Sequence, residues 1–205
     1  MYHVYERPSI GECAGTVLLL PGRGQTAQDI LRRYDQCSNL DCMRLIGIGP
    51  IIEWYPAPNG ANDQLDAIWG LKISVPELDA FIESIQKDNG INRDEIALSG
   101  FSAGAVMAIQ LAAFSNEKFA AVVSHNGAIL DPNSLRMATN DTPIFLIHNK
   151  NDQCFSWDER YIPMKNSLFK NGYKLEFVES EEGDHYMHQE DIENAGIWLK
   201  KVFNS

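Results

Sequence analysis

The strongest chemical signal in the chain is Gly100-Phe-Ser-Ala-Gly104, a Gly-x-Ser-x-Gly set between a predicted strand at residues 95–98 and a helix beginning near Ala103. A bare pattern of this kind arises by chance in about one chain of this length in fifteen. Its weight comes from the setting: a tight strand-to-helix turn strains the serine backbone and lifts its hydroxyl above the sheet, while flanking glycines relieve the close approach. The alternative is an inert serine in a glycine-rich turn.

A serine hydroxyl is a poor nucleophile at neutral pH, so it needs a histidine base held in one tautomer by a carboxylate. After a strand-to-helix elbow the partners are expected in the order acid, then histidine, each in a loop following a later strand. Asp152 follows the apolar run 143–147 and is the candidate acid. His185 closes the turn cluster Glu181-Glu-Gly-Asp-His185 after the run 174–178 and is the candidate base. Asp158 competes with Asp152 but reads as the cap of the next helix. His188 competes with His185 but falls at or inside the last helix. His125 and His148 read as hydrogen-bonded structural residues near strand ends, and His3 as surface or N-terminal strand.

An acyl-transfer intermediate also needs two oxyanion donors. The amide after the nucleophile, Ala103, is one. The glycine-rich loop Leu20-Pro-Gly-Arg-Gly-Gln25 supplies the other, with the N–H of Arg23 as candidate; the alternative, a phosphate cradle, lacks the lysine and Ser/Thr of a Walker sequence.

The elements that must hold these groups follow from hydrophobic patterning. Runs rich in β-branched residues at 16–20, 45–48, 95–98, 120–124, 143–147 and 174–178 are largely apolar at consecutive positions, as strands buried on both faces must be. Between them lie helical spacings: Leu78, Phe81, Ile82 and Ile85 behind an apparent capping box, Ser74-Val-Pro-Glu77; a second after Ser102; and a third around Ile197, Trp198 and Val202. The alternation predicts an α/β fold, a three-layer sandwich with a mostly parallel sheet flanked by helices. Residues 50–74 carry prolines, a turn signal and large aromatics, and read as a long functional loop in which Trp54, Tyr55 and Trp69 wall a substrate site.

The net charge of −11 opposes phosphate backbones and anionic membrane surfaces, so neither nucleic acid nor a stable membrane association is expected. The longest apolar run is about half a membrane span and the start carries no export pattern, which predicts a soluble, cytoplasmic protein. Four cysteines without a Cys-x-x-Cys pair read as free thiols, and no metal site is indicated.

Taken together, Leu19-Leu-Pro-Gly-Arg-Gly-Gln-Thr26 with Asp29-Ile-Leu31, Glu53-Trp-Tyr-Pro56, Ile96-Ala-Leu-Ser-Gly-Phe-Ser-Ala-Gly104, Asp152 and Gly183-Asp-His185 resemble the phospholipase/carboxylesterase family of the α/β hydrolases. That branch includes acyl-protein thioesterases and small bacterial esterases. The likeness to bacterial members with an early His-Gly-Arg-Gly loop and a Trp-Tyr-Pro segment is particularly close. The resemblance implies a single α/β-hydrolase domain over residues 1–205 without a large lid. It also implies Ser102, Asp152 and His185 as the triad, and the amides of Arg23 and Ala103 as the oxyanion hole. Two positions depart from the family pattern: Pro21 stands where histidine is usual, and Ala103 where many members have glutamine.

The expected activity is hydrolysis of small-molecule carboxylic esters of short to medium acyl chain, with no cofactor. Thioesterase or lysophospholipase chemistry is the alternative within enzymes, and a non-catalytic ligand-binding protein the alternative outside them. Exposed aromatics suit either a cleft or a homodimer interface.

Overall fold

The apolar runs stand side by side. In the computed structural model, which describes residues 1–56, 63–181 and 183–204, seven strands form one sheet. They are β1 (Tyr2–Arg7), β2 (Gly15–Leu20), β3 (Met43–Pro50), β4 (Ile96–Phe101), β5 (Ala121–His125), β6 (Pro143–Asn149) and β7 (Lys174–Ser180). The order is β1-β3-β2-β4-β5-β6-β7. Every pairing is parallel except that of β1 with β3. The antiparallel edge strand β1 is largely exposed, which is why no apolar run announced it.

Period-two alternation sends successive residues of the central strands to opposite faces. Leu18, Leu20, Ile46, Ile48 and Leu98 pack against α2 (Asp63–Asn89), α3 (Ala103–Phe114) and α4 (Ile162–Lys170). Val17, Leu19, Leu45, Ala97, Val123 and Phe145 pack against α1 (Ala27–Tyr34) and α5 (Gln189–Phe203). The result is an α/β-hydrolase fold in three layers. Among the described residues no inserted subdomain covers the C-terminal edge of the sheet.

Three expectations need correction. Residues 63–74 are not loop: they form the first half of α2, which runs unbroken through Pro76 to Asn89. The capping box at Ser74 does not form, because the Ser74 hydroxyl donates to the Trp54 carbonyl instead. The helix persists because Ala67, Leu71, Val75, Leu78, Ile82 and Ile85 make one continuous buried stripe. Pro76 lies off that stripe, so burial outweighs the missing helical hydrogen bond. The turn signal at residues 57–62 lies outside the described residues. Asp158, expected as a helix cap, sits inside a single π-helical turn, Trp157–Tyr161, that leads into α4; Ser156 holds the cap position.

Candidate active site

The register of the parallel strands brings their C-terminal ends to one edge, where the connecting loops gather. Ser102 lies between β4 and α3 with φ 53° and ψ −118°, a conformation that L-residues avoid. It is held there by its own N–H, which donates to the His125 carbonyl at 3.0 Å, and by its carbonyl, which accepts from Val106 at 3.0 Å. Gly104 makes the turn sterically feasible: a Cβ there would stand 2.6 Å from the Pro21 carbonyl oxygen, and closer to that of Leu20.

Asp152 follows β6 and is almost fully buried. Its Oδ1 accepts from the N–H groups of Cys154 at 2.7 Å and Phe155 at 2.8 Å, leaving Oδ2 for His185 Nδ1 at 2.8 Å. His185 Nε2 reaches Ser102 Oγ at 2.7 Å. Burial works against the Asp152 carboxylate, but hydrogen bonds from His185 and from the Phe155 and Cys154 amides outweigh it and hold its pKa below the ordinary value. The imidazole of His185 lies between the rings of Phe101 and Phe155, with centroids at 5.2 and 5.7 Å. The three residues expected from the sequence are thus brought into one hydrogen-bonded chain.

The rival histidines stand elsewhere. His188 precedes α5, where its N–H donates to Asp191 at 3.0 Å. His125 bonds through Nε2 to the Tyr34 hydroxyl at 2.6 Å, and that hydroxyl meets Ser99 Oγ at 2.5 Å. Burial pushes the His125 pKa down to about 3, so it stays neutral. His148 stacks on Tyr161 at 4.3 Å and donates from Nε2 to the Phe155 carbonyl at 2.9 Å, bracing the loop that carries Asp152.

Arg23 and Ala103 border one cavity of about 20 Å³ beside the elbow. Ala103 opens α3, where the first N–H groups have no intrahelical acceptor. The loop carrying Arg23 is pinned from several sides despite Pro21. Gly22 N–H donates to Gln25 Oε1 at 3.1 Å, and the Trp54 indole donates to the Pro21 carbonyl at 2.8 Å. The Arg23 guanidinium pairs with Glu53 at 2.6 Å and donates to the Tyr55 carbonyl at 3.0 Å.

The aromatics expected to wall the site are placed differently. Tyr55 is buried in the core and offers little surface to a ligand. Trp54 is also buried and donates through its indole N–H to the loop carrying Arg23, while still bordering the small cavity. Trp69 lies on α2, 63% exposed with Lys72 over its ring. It borders none of the cavities found among the described residues near Ser102.

All four cysteines are unpaired. Among the described residues, one group has potential metal-ligand atoms within 4.8 Å of one another: Asp152, Cys154 and His185. The aspartate and histidine are already committed to each other and to Ser102, so only the Cys154 thiol is spare. Sequence reasoning missed Asn126 and Asn149, which bind the loop around His185 from 58 and 35 residues away.

A buried Asp–His–Ser chain at the C-terminal edge of such a sheet, with the serine on a strained elbow, defines a protein of the α/β-hydrolase class. The phospholipase/carboxylesterase profile matches residues 47–203, about three quarters of the sequence, and the chain belongs to that family. Acyl-protein thioesterase 1 homolog 2 of Dictyostelium discoideum is 27% identical over 64% of this chain and 60% of its own. Acyl-protein thioesterase 1 of Yarrowia lipolytica is 27% identical over 70% of this chain and 63% of its own. The chain thus spans somewhat under two thirds of the length of these relatives. The solved structure of esterase PE8 superposes with a TM-score of 0.88 at 22% identity, covering 98% of this chain and 99% of that one, a likeness of fold. Among the described residues, no helix is long and apolar enough to cross a membrane.

Proposed function

We propose that the chain is a serine hydrolase cleaving carboxylic esters of short to medium acyl chain through an acyl-enzyme on Ser102. The observation that carries the proposal is the Ser102–His185–Asp152 hydrogen-bond chain, with 2.7 and 2.8 Å links and a buried, ionised acid at its end. With Asp152 accepting from Nδ1, His185 presents an unprotonated Nε2 to the serine. Nε2 takes the Ser102 proton as Oγ attacks the ester carbonyl, and the developing oxyanion is met by the N–H groups of Ala103 and Arg23. His185 then returns that proton to the leaving alcohol. Water, deprotonated by the same Nε2, hydrolyses the acyl-enzyme.

Among the described residues no inserted subdomain covers the sheet edge at Ser102, and an open site of this kind supports short to medium acyl chains. Turnover of p-nitrophenyl acetate, octanoate and palmitate tests this, and a preference for palmitate would overturn the chain-length assignment. Thioester cleavage is the second reading, favoured by the names of the two relatives. It would displace the first if an acyl-CoA or palmitoylated peptide were turned over faster than simple esters. A cytoplasmic setting belongs to the same proposal, supported by four unpaired cysteines, which suit a reducing compartment.

A further inference from the structure

The nucleophile and the base are held by neighbouring residues at one strand end. Ser102 N–H donates to the carbonyl of His125, the last residue of β5. The next residue, Asn126, turns into the left-handed region at φ 46°, which asparagine tolerates better than most side chains. Its side chain is almost wholly buried and directed at the loop carrying His185. Nδ2 donates to the Tyr186 carbonyl at 2.9 Å and, more weakly, to the Asp184 carbonyl at 3.4 Å, the two carbonyls flanking the base. Oδ1 accepts from the Asn149 N–H at 2.9 Å. Since a backbone N–H can only donate, this bond fixes which end of the amide faces which partner.

Asn149, at the end of β6, repeats the grip. Its Nδ2 donates to the Asp184 carbonyl at 2.9 Å and the Tyr186 carbonyl at 3.2 Å. Gly183 leaves room for it: φ is 145° there, and a Cβ would stand 2.7 Å from Asn149 Cγ. From the far side, Arg33 of α1 donates to the Met187 carbonyl at 2.6 Å and to the Tyr186 hydroxyl.

We propose that Asn126 is a positioning residue for the base. With Asn149 it clasps the carbonyls on either side of His185, so that residues 125 and 126 reference nucleophile and base to the same strand end. Among the described residues, the His185 loop at the sheet edge has no regular element of its own between β7 and α5. The 2.7 Å contact from His185 to Ser102 therefore depends on these side-chain donors. Displacement by about 1 Å costs roughly a hundredfold in rate in well-oriented sites.

The inference rests on the serine-hydrolase reading, and Asn126→Asp tests it. That variant keeps the left-handed backbone and an acceptor for the Asn149 N–H, and replaces the donor to the two carbonyls with an oxygen that repels them. The measurements are the rate of fluorophosphonate labelling, kcat and KM on p-nitrophenyl acetate, the melting temperature, and the proton resonance of His185 Nδ1–H in its bond to Asp152. Expected are a 10- to 100-fold fall in kcat and in labelling rate, KM within about threefold, and a broadened or lost Nδ1–H resonance in a folded protein. Rates within threefold of wild type with an unchanged resonance would overturn the proposal, because the His185 loop would then hold its place without the Asn126 donor.

If Asn126→Asp does not fold, Asn149→Ala decides: a loss of at least threefold in kcat at constant KM supports the clasp, and wild-type rates refute it. Absence of labelling in the wild type would count against the hydrolase reading instead. The Nδ1–H resonance reads the clasp whether or not Ser102 reacts.

Discussion

Replacing Asp152 by asparagine changes one atom and, in this site, the direction of a proton. Oδ1 of Asp152 faces two backbone donors, Cys154 and Phe155, at 2.7 and 2.8 Å. An amide NH2 placed there would oppose both N–H groups, so the asparagine oxygen must occupy that position. Its NH2 is then forced toward His185 Nδ1, 2.8 Å from the other carboxylate oxygen. Nδ1 can meet it only as an acceptor, which moves the imidazole proton to Nε2. Nε2–H then donates to Ser102 Oγ and can no longer take its proton. Such a tautomer reversal costs about 10⁴-fold in kcat, or roughly 5.5 kcal/mol of barrier. The assay is kcat on p-nitrophenyl acetate for purified Asp152→Asn, with the melting temperature as a check on folding. A folded variant within tenfold of wild type would refute the assignment of Asp152 as orienter.

In Gly104→Ala, the new Cβ would meet the Leu20 and Pro21 carbonyls, and α3 must retreat roughly 1 Å to restore ordinary contact. A stability loss of about 1–3 kcal/mol in urea titration and a kcat lowered about a hundredfold are expected, and an unperturbed variant would show that the elbow is not tightly packed. Trp54→Phe removes the indole donor to the Pro21 carbonyl. Loosening of the oxyanion loop should lower kcat by about tenfold with KM little changed, well short of the hundredfold or more that follows losing an oxyanion donor itself; steady-state kinetics reads both. His125 stays neutral in the fold down to pH about 3, whereas the unfolded chain takes up a proton below about 6.5. Protonation across that window favours the unfolded state, so the contribution is complete above pH 6.5 and is lost on acidification. Unfolding free energies from urea titrations between pH 7 and 4.5 should show a fall that is shallower in His125→Gln by roughly 1 kcal/mol per pH unit.

The sheet was legible because β2 through β6 are buried on both faces and therefore nearly continuous in apolar residues. Ser102, Asp152 and His185 were legible because chain order on this fold restricts each partner to the loop after a given strand. The first half of α2 was hidden by local punctuation: Ser74, Pro76 and Glu77 mimic a helix start, and only the stripe from Ala67 to Ile85 reveals that the helix continues through them. Trp54 and Tyr55 were visible as aromatics near a site, but nothing in their spacing distinguishes a cleft wall from a buried support. Asn126 has no sequence signature at all, since the carbonyls it binds are 58 and 60 residues away and no local pattern encodes them.

The most direct measurement is the intact mass of the wild-type protein and of Ser102→Ala after fluorophosphonate treatment, with peptide mapping of any adduct. One adduct per wild-type chain, located on Ser102 and missing from the alanine variant, is expected if His185 and Asp152 activate that serine. An unlabelled, folded wild-type protein, or an adduct that persists in Ser102→Ala, would contradict the serine-hydrolase assignment.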